Sequence, residues 1–229
     1  MDRREFSKKV ITTTIGAGLV MSTPIRLYAQ STEKKKILGL AGSPRKNGNS
    51  DTLLTALLAS AKKDGAETEK IYLIDSKIKP CLVCEKCHEG GRKPCALVDD
   101  FNKIADKMVT ADIIVVASPV HWIAVSSPVK LMLDRGYSLI NQSFKEVLKG
   151  GNSVLNGKSG AIIVCGNSQD TQTYGEPVAN TINHFYKFMG IQLVDKIVVS
   201  AGFIEGEVAN NELAMNQATE LGRKLAHLS

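Results

Sequence analysis

Aromatic residues are scarce, at 5% of 229 residues with one tryptophan, and no apolar run approaches the roughly 20 residues of a bilayer-spanning helix. A helical membrane protein is therefore excluded. Cysteine is too sparse, at five residues, for a disulfide-dense miniprotein, and a chain 43% hydrophobic and 23% charged is not a disordered one. Charge of one sign is also lacking. The net +6 is partly local, because residues 1–29 hold five basic and two acidic side chains, and the remainder balances 24 basic against 21 acidic. So small an excess supports no nucleic-acid partner. Internal repeats, low-complexity linkers, a G-x-G-x-x-G turn and the Lys-Ser/Thr ending of a Walker A loop are all missing. So is any Ser/His/Asp or Cys/His hydrolytic pattern.

What is present begins with an address. Arg3-Arg4 and Phe6 precede a mild apolar stretch, Val10 to Met21, and the segment ends on Pro24 and Leu27-Tyr28-Ala29. This is a basic, then apolar, then small-residue order, and the arginine pair resembles a twin-arginine export signal. Residues 1–29 are expected to be a signal peptide cleaved after Ala29, leading to the periplasm. An attached amphipathic helix is the alternative, disfavoured by Thr12-Thr13-Thr14 and the glycines that follow.

Residues 30–229 alternate short apolar runs with helical patterns. Strands are predicted at Ile37 to Ala41, Glu67 to Ile74, Ala111 to Val116, Ser159 to Cys165 and Leu193 to Ser200. Between and after them, Leu53, Leu54, Leu57, Leu58 and Ala61 share one helical face. Lys130 to Tyr137 is helical behind Ser127 and Pro128, and Val178 to Met189 and Ala214 to Leu225 repeat at helical spacing. Strands apolar on both faces, alternating with helices, imply an α/β fold: a flavodoxin-like, doubly wound, five-stranded parallel sheet of order 2-1-3-4-5. Ligands of such sheets lie beyond the carboxyl ends of the strands.

The first such loop, Gly42-Ser43-Pro44-Arg45-Lys46-Asn47-Gly48-Asn49-Ser50-Asp51-Thr52, runs straight into a helix. Gly42 and Gly48 let backbone N–H groups turn inward, and Ser43, Asn49, Ser50 and Thr52 offer side-chain donors. The helix N-terminus and Arg45 add positive charge, a set suited to a phosphate monoester; a plain polar turn capped by Ser50 is the bland alternative. The loop resembles the FMN-phosphate loop of the NADPH-dependent FMN reductase and iron-sulfur flavoprotein family. A second signature, Ala117-Ser118-Pro119-Val120-His121-Trp122 running on through Ser127-Pro128-Val129-Lys130 to Asp134-Arg135, resembles the same family's flavin-ring segment. The resemblance implies that Ser43, Arg45, Asn49 and Ser50 hold the phosphate of FMN, and that Pro119, Val120, His121 and Trp122 line the ring. Many relatives carry Tyr or Phe at the place of His121. The histidine reads either as a donor to the flavin edge or as a plain loop residue, and Trp122 either as a stacking residue or as a core or interface anchor.

Four of the five cysteines fall in a Cys-rich insertion at 80–96, as Cys81-x2-Cys84-x2-Cys87-x7-Cys95. This spacing is a metal signal, and it resembles the compact motif with which iron-sulfur flavoproteins bind a [4Fe-4S] cluster. Zinc, two disulfides in an oxidising compartment, and idle cysteines remain open readings. His88 reads as a solvated loop residue, Cys165 as a small buried hydrophobe, and Asp99 and Asp100 as helix caps. The function expected is electron transfer through FMN and the cluster, with no residue-based acid–base catalyst. Alternatives are an FMN-only reductase and a non-enzymatic electron carrier. Donor and acceptor are small molecules or proteins; outside the cytoplasm a protein or a membrane quinol would replace NAD(P)H. By resemblance the chain forms a homodimer or a higher homo-oligomer.

Overall fold

A computed structural model of the chain describes residues 34–141 and 153–228, so the expected signal peptide lies outside the described residues. Its elements are β1 (Lys36–Ala41), α1 (Asn49–Lys63), β2 (Glu67–Tyr72), α2 (Phe101–Thr110), β3 (Ile113–His121), β4 (Ala124–Val125), α3 (Ser127–Arg135), β5 (Ser159–Gly166), α4 (Thr171–Tyr174), α5 (Glu176–Met189), β6 (Gln192–Ser200) and α6 (Glu212–Ala226). Five strands pair in parallel in the order β2-β1-β3-β5-β6, and the short β4 folds back antiparallel on β3. Leaving β4 aside, this is the predicted 2-1-3-4-5 order.

Strand periodicity divides the core in two. Leu38 and Leu40 of β1, Ile114 and Val116 of β3, and Ile162 and Val164 of β5 face α2, α3 and α5. Their neighbours Ile37 and Ala41, Ile113, Val115 and Ala117, and Ile163 and Cys165 face α1 and α6. With both faces covered, alternation of polar and apolar residues has no use, which is why these strands read as continuous apolar runs. Tyr186 crosses the interior fully buried, with its hydroxyl 2.8 Å from the Ile114 carbonyl and 3.0 Å from that of Ala161. Burial pushes its phenol far up, so it stays neutral and serves as a donor.

Several boundaries differ from the sequence reading: β3 begins at Ile113 rather than Ala111, α3 takes in Ser127 as its first residue and ends at Arg135 rather than Tyr137, and two further differences shape the site. The second strand stops at Tyr72, and Leu73–Asp75 winds into a 3-10 turn that buries Leu73. The third strand runs five residues past Val116 to His121, because Val120 and His121 pair with Val125 and Ala124 across a two-residue turn. Trp122 and Ile123 occupy that turn at φ +52° and +57°. Left-handed backbone costs a non-glycine residue about 1–2 kcal/mol, and a two-residue hairpin of this hand requires it at both positions.

Candidate functional site

The carboxyl ends of β1, β3, β5 and β6 open onto one cleft. Ser43, Arg45, Asn49 and Ser50 line it from the loop after β1, Pro119, Val120 and His121 from the end of β3, Cys165, Gly166 and Asn167 from β5, and Gly202 and Phe203 from the segment after β6. The phosphate-loop and ring-segment residues inferred from sequence thus meet, with two exceptions. Thr52 donates its hydroxyl to the Asn47 carbonyl at 3.1 Å, outside the lining. Trp122 is wholly exposed at the hairpin tip, so it is neither a core anchor nor part of the cleft wall.

Much of the loop's polar inventory serves the loop itself. Ser43 Oγ donates to the Arg45 carbonyl at 2.7 Å and accepts from Arg45 N at 3.1 Å. The Asn49 amide bridges to the far side of the cleft, donating to the Ala201 carbonyl at 2.6 Å and accepting from Val208 N at 3.1 Å. Arg45 Nη1 reaches the Phe203 carbonyl at 3.0 Å. Asp51, nearly inaccessible, accepts from Asn47 N at 2.8 Å, from Lys70 Nζ at 2.8 Å and from Tyr72 Oη at 3.2 Å, tying the loop to β2. Burial works against the Lys70 ammonium, but Asp51 and Tyr72 outweigh it and hold its pKa above the ordinary value.

Ser50 is different. Its hydroxyl is buried yet has no hydrogen-bond partner among the described residues. It stands in the first turn of α1, a helix that opens on Gly48 without a side-chain cap. A buried, unpaired hydroxyl beside uncapped helix N–H groups is an incomplete site for an anion.

Phosphate loop and ring segment are also fastened together. Gly42 N donates to the Ala117 carbonyl at 2.8 Å, and Ser126 Oγ donates to the Gly42 carbonyl at 2.6 Å. Ser126 N in turn donates to Ser118 Oγ at 3.0 Å. A Cβ on Gly42 would stand 2.7 Å from the Ala117 carbonyl oxygen and closer still to Val129 Cγ2, so this approach requires glycine.

Beside α2 and α3, Cys81, Cys84, Cys87 and Cys95 line one small cavity together with Arg135 and Tyr137. All four are free thiols, and among the described residues no three His, Cys, Asp or Glu side chains converge on a single metal ion. Burial pushes the Cys87 thiol up, and the charges of Cys95, Cys84 and Cys81 push the same way. His88, expected in solvent, is half-buried: its Nε2 lies 3.0 Å from the Tyr137 carbonyl and its ring meets the Tyr137 ring edge-on at 4.7 Å. Cys165 is the expected buried hydrophobe, its thiol pushed up by burial to about 12.

Asp99 caps α2, accepting from Phe101 N at 3.0 Å, but does more. It meets the fully buried Arg135 in a two-pronged pair at 2.6 and 3.1 Å, and accepts from Lys79 N at 2.9 Å. Burial alone would raise the Asp99 pKa; the Arg135 hydrogen bonds and the two backbone N–H groups outweigh it and hold the carboxyl below its ordinary value. Asp100 carries no capping bond to α2 and instead accepts from Lys77 N at 3.0 Å. Sequence reasoning placed Arg135 only at the end of the ring-segment signature, without its pairing to Asp99, and it left Asn167, Gly202 and Phe203 without roles. No local signal marks Arg135, Gly202 or Phe203, since each acts on a partner distant in the chain.

Residues 35–206 match the family described as NADPH-dependent FMN reductase. The chain is 30% identical over 200 residues to an iron-sulfur flavoprotein of Methanocaldococcus jannaschii, an alignment covering 84% of this chain and 96% of that one. Among solved structures, the NAD(P)H:quinone oxidoreductase from Methanothermobacter marburgensis superposes with a TM-score of 0.64 at 14% identity, over 86% of this chain and 99% of that one. An FMN-dependent NADH-azoreductase from Bacillus anthracis, solved in complex with FMN, gives 0.59 at 17% identity over 84% and 100%. At these identities the two structures attest the fold alone.

Proposed function

The chain belongs to the NADPH-dependent FMN reductase family, and on that premise we propose that it is an oxidoreductase that holds FMN in the cleft beyond β1, β3 and β5 and a [4Fe-4S] cluster on its cysteine segment. The observation that carries the flavin reading is Ser50, a buried hydroxyl with no partner among the described residues in the first turn of an uncapped helix. A phosphate monoester there would accept from Ser50 Oγ and from first-turn N–H groups, with Arg45 at the rim. Ser43 and Asn49 shape the loop rather than complete the ligand's shell, since their side chains already have protein partners.

FMN, when bound, supplies electron storage in pairs or singly, and the chain's residues supply position. Pro119 and Val120 present the end of β3 to the ring, and His121 places an imidazole at the cleft mouth. The Gly42–Ala117 and Ser126–Gly42 bonds hold the ring segment at a fixed distance from the phosphate loop. No side chain is required as a general acid or base.

The donor set supports the cluster: four free thiols within fifteen residues around one cavity, in a chain resembling an iron-sulfur flavoprotein. A cubane offers four separate iron corners, so its ligands need not converge on one point as zinc ligands do. The second reading, an FMN-only reductase, is favoured by the description of the matching family, which names FMN and no cluster. Anaerobic purification with flavin, iron and acid-labile sulfide measured on one sample decides between them. About one FMN and about four each of iron and sulfide per chain supports the two-cofactor protein, FMN without iron after reconstitution the simple reductase, and no flavin overturns both.

The proposal includes export through the Arg3-Arg4 leader and periplasmic action, with a protein or quinol as donor. Retention of an Arg3→Lys/Arg4→Lys variant in the cytoplasm tests this. It also includes a homodimer or higher oligomer, supported by the exposed Trp122 and Ile123 and tested by light scattering.

A further inference from the structure

A guanidinium removed from water is costly, and a buried ion pair is often no more stabilising than a well-packed apolar pair of the same volume. Arg135 is nevertheless completely buried, at the last position of α3. Part of the reason is mechanical. Its Nη1 donates to the Lys79 carbonyl at 2.9 Å, its two Nη groups hold Asp99, and Lys79 and Asp99 bracket the segment from Cys81 to Cys95. Arg135 therefore closes the neck of the cysteine segment. Its planar group also lies 4.8 Å from the Phe101 ring centroid.

That role leaves one atom unexplained. Arg135 Nε is buried with no hydrogen-bond partner among the described residues. Arg135 lines the same cavity as all four cysteines, and of these Cys95 is the one whose charge and side-chain hydrogen bonding bear on the guanidinium. Asp99 engages only the Nη groups, so a positive charge with an unused N–H donor remains against the cysteine cavity.

We propose that Arg135 is the fixed counter-charge of the cysteine site, donating from Nε toward the sulfur-rich group that Cys81, Cys84, Cys87 and Cys95 carry and raising its reduction potential. This rests on the cluster reading above. A cluster held by four thiolates is an anion that becomes more negative by one charge when it takes up one electron. A buried cation beside it, and a hydrogen bond to sulfur, stabilise the reduced form more than the oxidised form. Asp99, on the far side of the guanidinium, acts with the opposite sign and more weakly.

The test uses the full chain, loaded with cluster and titrated anaerobically with dithionite through mediators while EPR follows the reduced cluster. In Arg135→Gln the oxidised-to-reduced ratio at a given potential rises about tenfold, which is about 59 mV downward for one electron. Arg135→Lys keeps the charge and restores most of the potential. Asp99→Asn moves the potential upward. A pair acting only as a structural staple would loosen the neck in both variants, so movement of both in one direction, or of neither, overturns the inference. Should Arg135→Gln not fold, the double variant Asp99→Asn/Arg135→Gln leaves no lone buried charge and is expected to shift downward by less; no shift there refutes the proposal equally. Wild-type protein that takes up no iron and sulfide on reconstitution fails the cluster reading itself, and the inference with it. A loaded protein indifferent to Arg135 fails the inference alone.

Discussion

Replacing Ser50 with alanine should strengthen the flavin-free protein and weaken its hold on flavin. The hydroxyl is buried without a partner among the described residues, and such a group costs about 1–3 kcal/mol relative to water. Alanine removes that cost, leaves only the volume of one oxygen, and suits a helix first turn at least as well. Flavin-free Ser50→Ala is therefore expected to unfold about 1 kcal/mol later, a rise of roughly 2–4 °C in Tm for a domain of this size. With FMN bound, the same hydroxyl would donate to a charged phosphate, an interaction worth about 1.5–3 kcal/mol. Its loss raises the FMN Kd roughly 10- to 100-fold. Urea or thermal unfolding of flavin-free protein gives the first quantity, and quenching of flavin fluorescence on titration gives the second. A variant that is less stable without flavin and binds FMN as before would show that Ser50 is an ordinary helix cap, and the phosphate would have to lie elsewhere.

Three other outcomes follow from the same geometry. Gly42→Ala forces a methyl against the Ala117 carbonyl and Val129; overpacking of this kind costs about 1–3 kcal/mol, read as a lowered Tm together with weaker FMN binding. The folded-state pKa of Asp99 lies below its unfolded value, so its contribution is complete above about pH 4 and is lost as pH falls through the folded value. The gap in urea midpoint between wild type and Asp99→Asn should narrow on acidification from pH 6 toward pH 3, and a constant gap would contradict the assignment. In native, cluster-free protein, iodoacetamide should label the exposed Cys84 well before Cys165, whose thiol burial holds neutral; mass spectrometry of the alkylated peptides reads the order.

The sheet was legible in the sequence because strands buried on both faces advertise themselves as uninterrupted apolar runs. The phosphate loop was legible because strand, glycine-bounded loop and helix follow one another directly. The hairpin at Val120–Val125 was not, since its turn is Trp122-Ile123 rather than the Asn-Gly or Asp-Gly that usually announces one. Nor did the loop sequence indicate that Asn49 would reach across to Ala201 and Val208, leaving the buried Ser50 hydroxyl of this loop without a partner among the described residues. Arg135, visible in the sequence only as the end of the ring-segment signature, was the residue whose role was hidden most completely. It ends an ordinary amphipathic helix, and its carboxylate partner lies 36 residues earlier, beyond the reach of any local pattern. The cysteines showed their spacing at once; that a buried cation stands behind them is a property of the fold.

The position of the only tryptophan decides how this protein can be watched. Within a single chain Trp122 is in full contact with solvent, so the emission of the undimerised native chain should resemble that of an unfolded one, and its indole fluorescence will pass through global melting with little change. Circular dichroism or the flavin's own absorbance must report on the core instead. The same residue becomes a sensitive beacon for anything that settles on the hairpin tip, because a partner that dries the indole will shift its emission to the blue while leaving every other spectroscopic signal of the fold untouched.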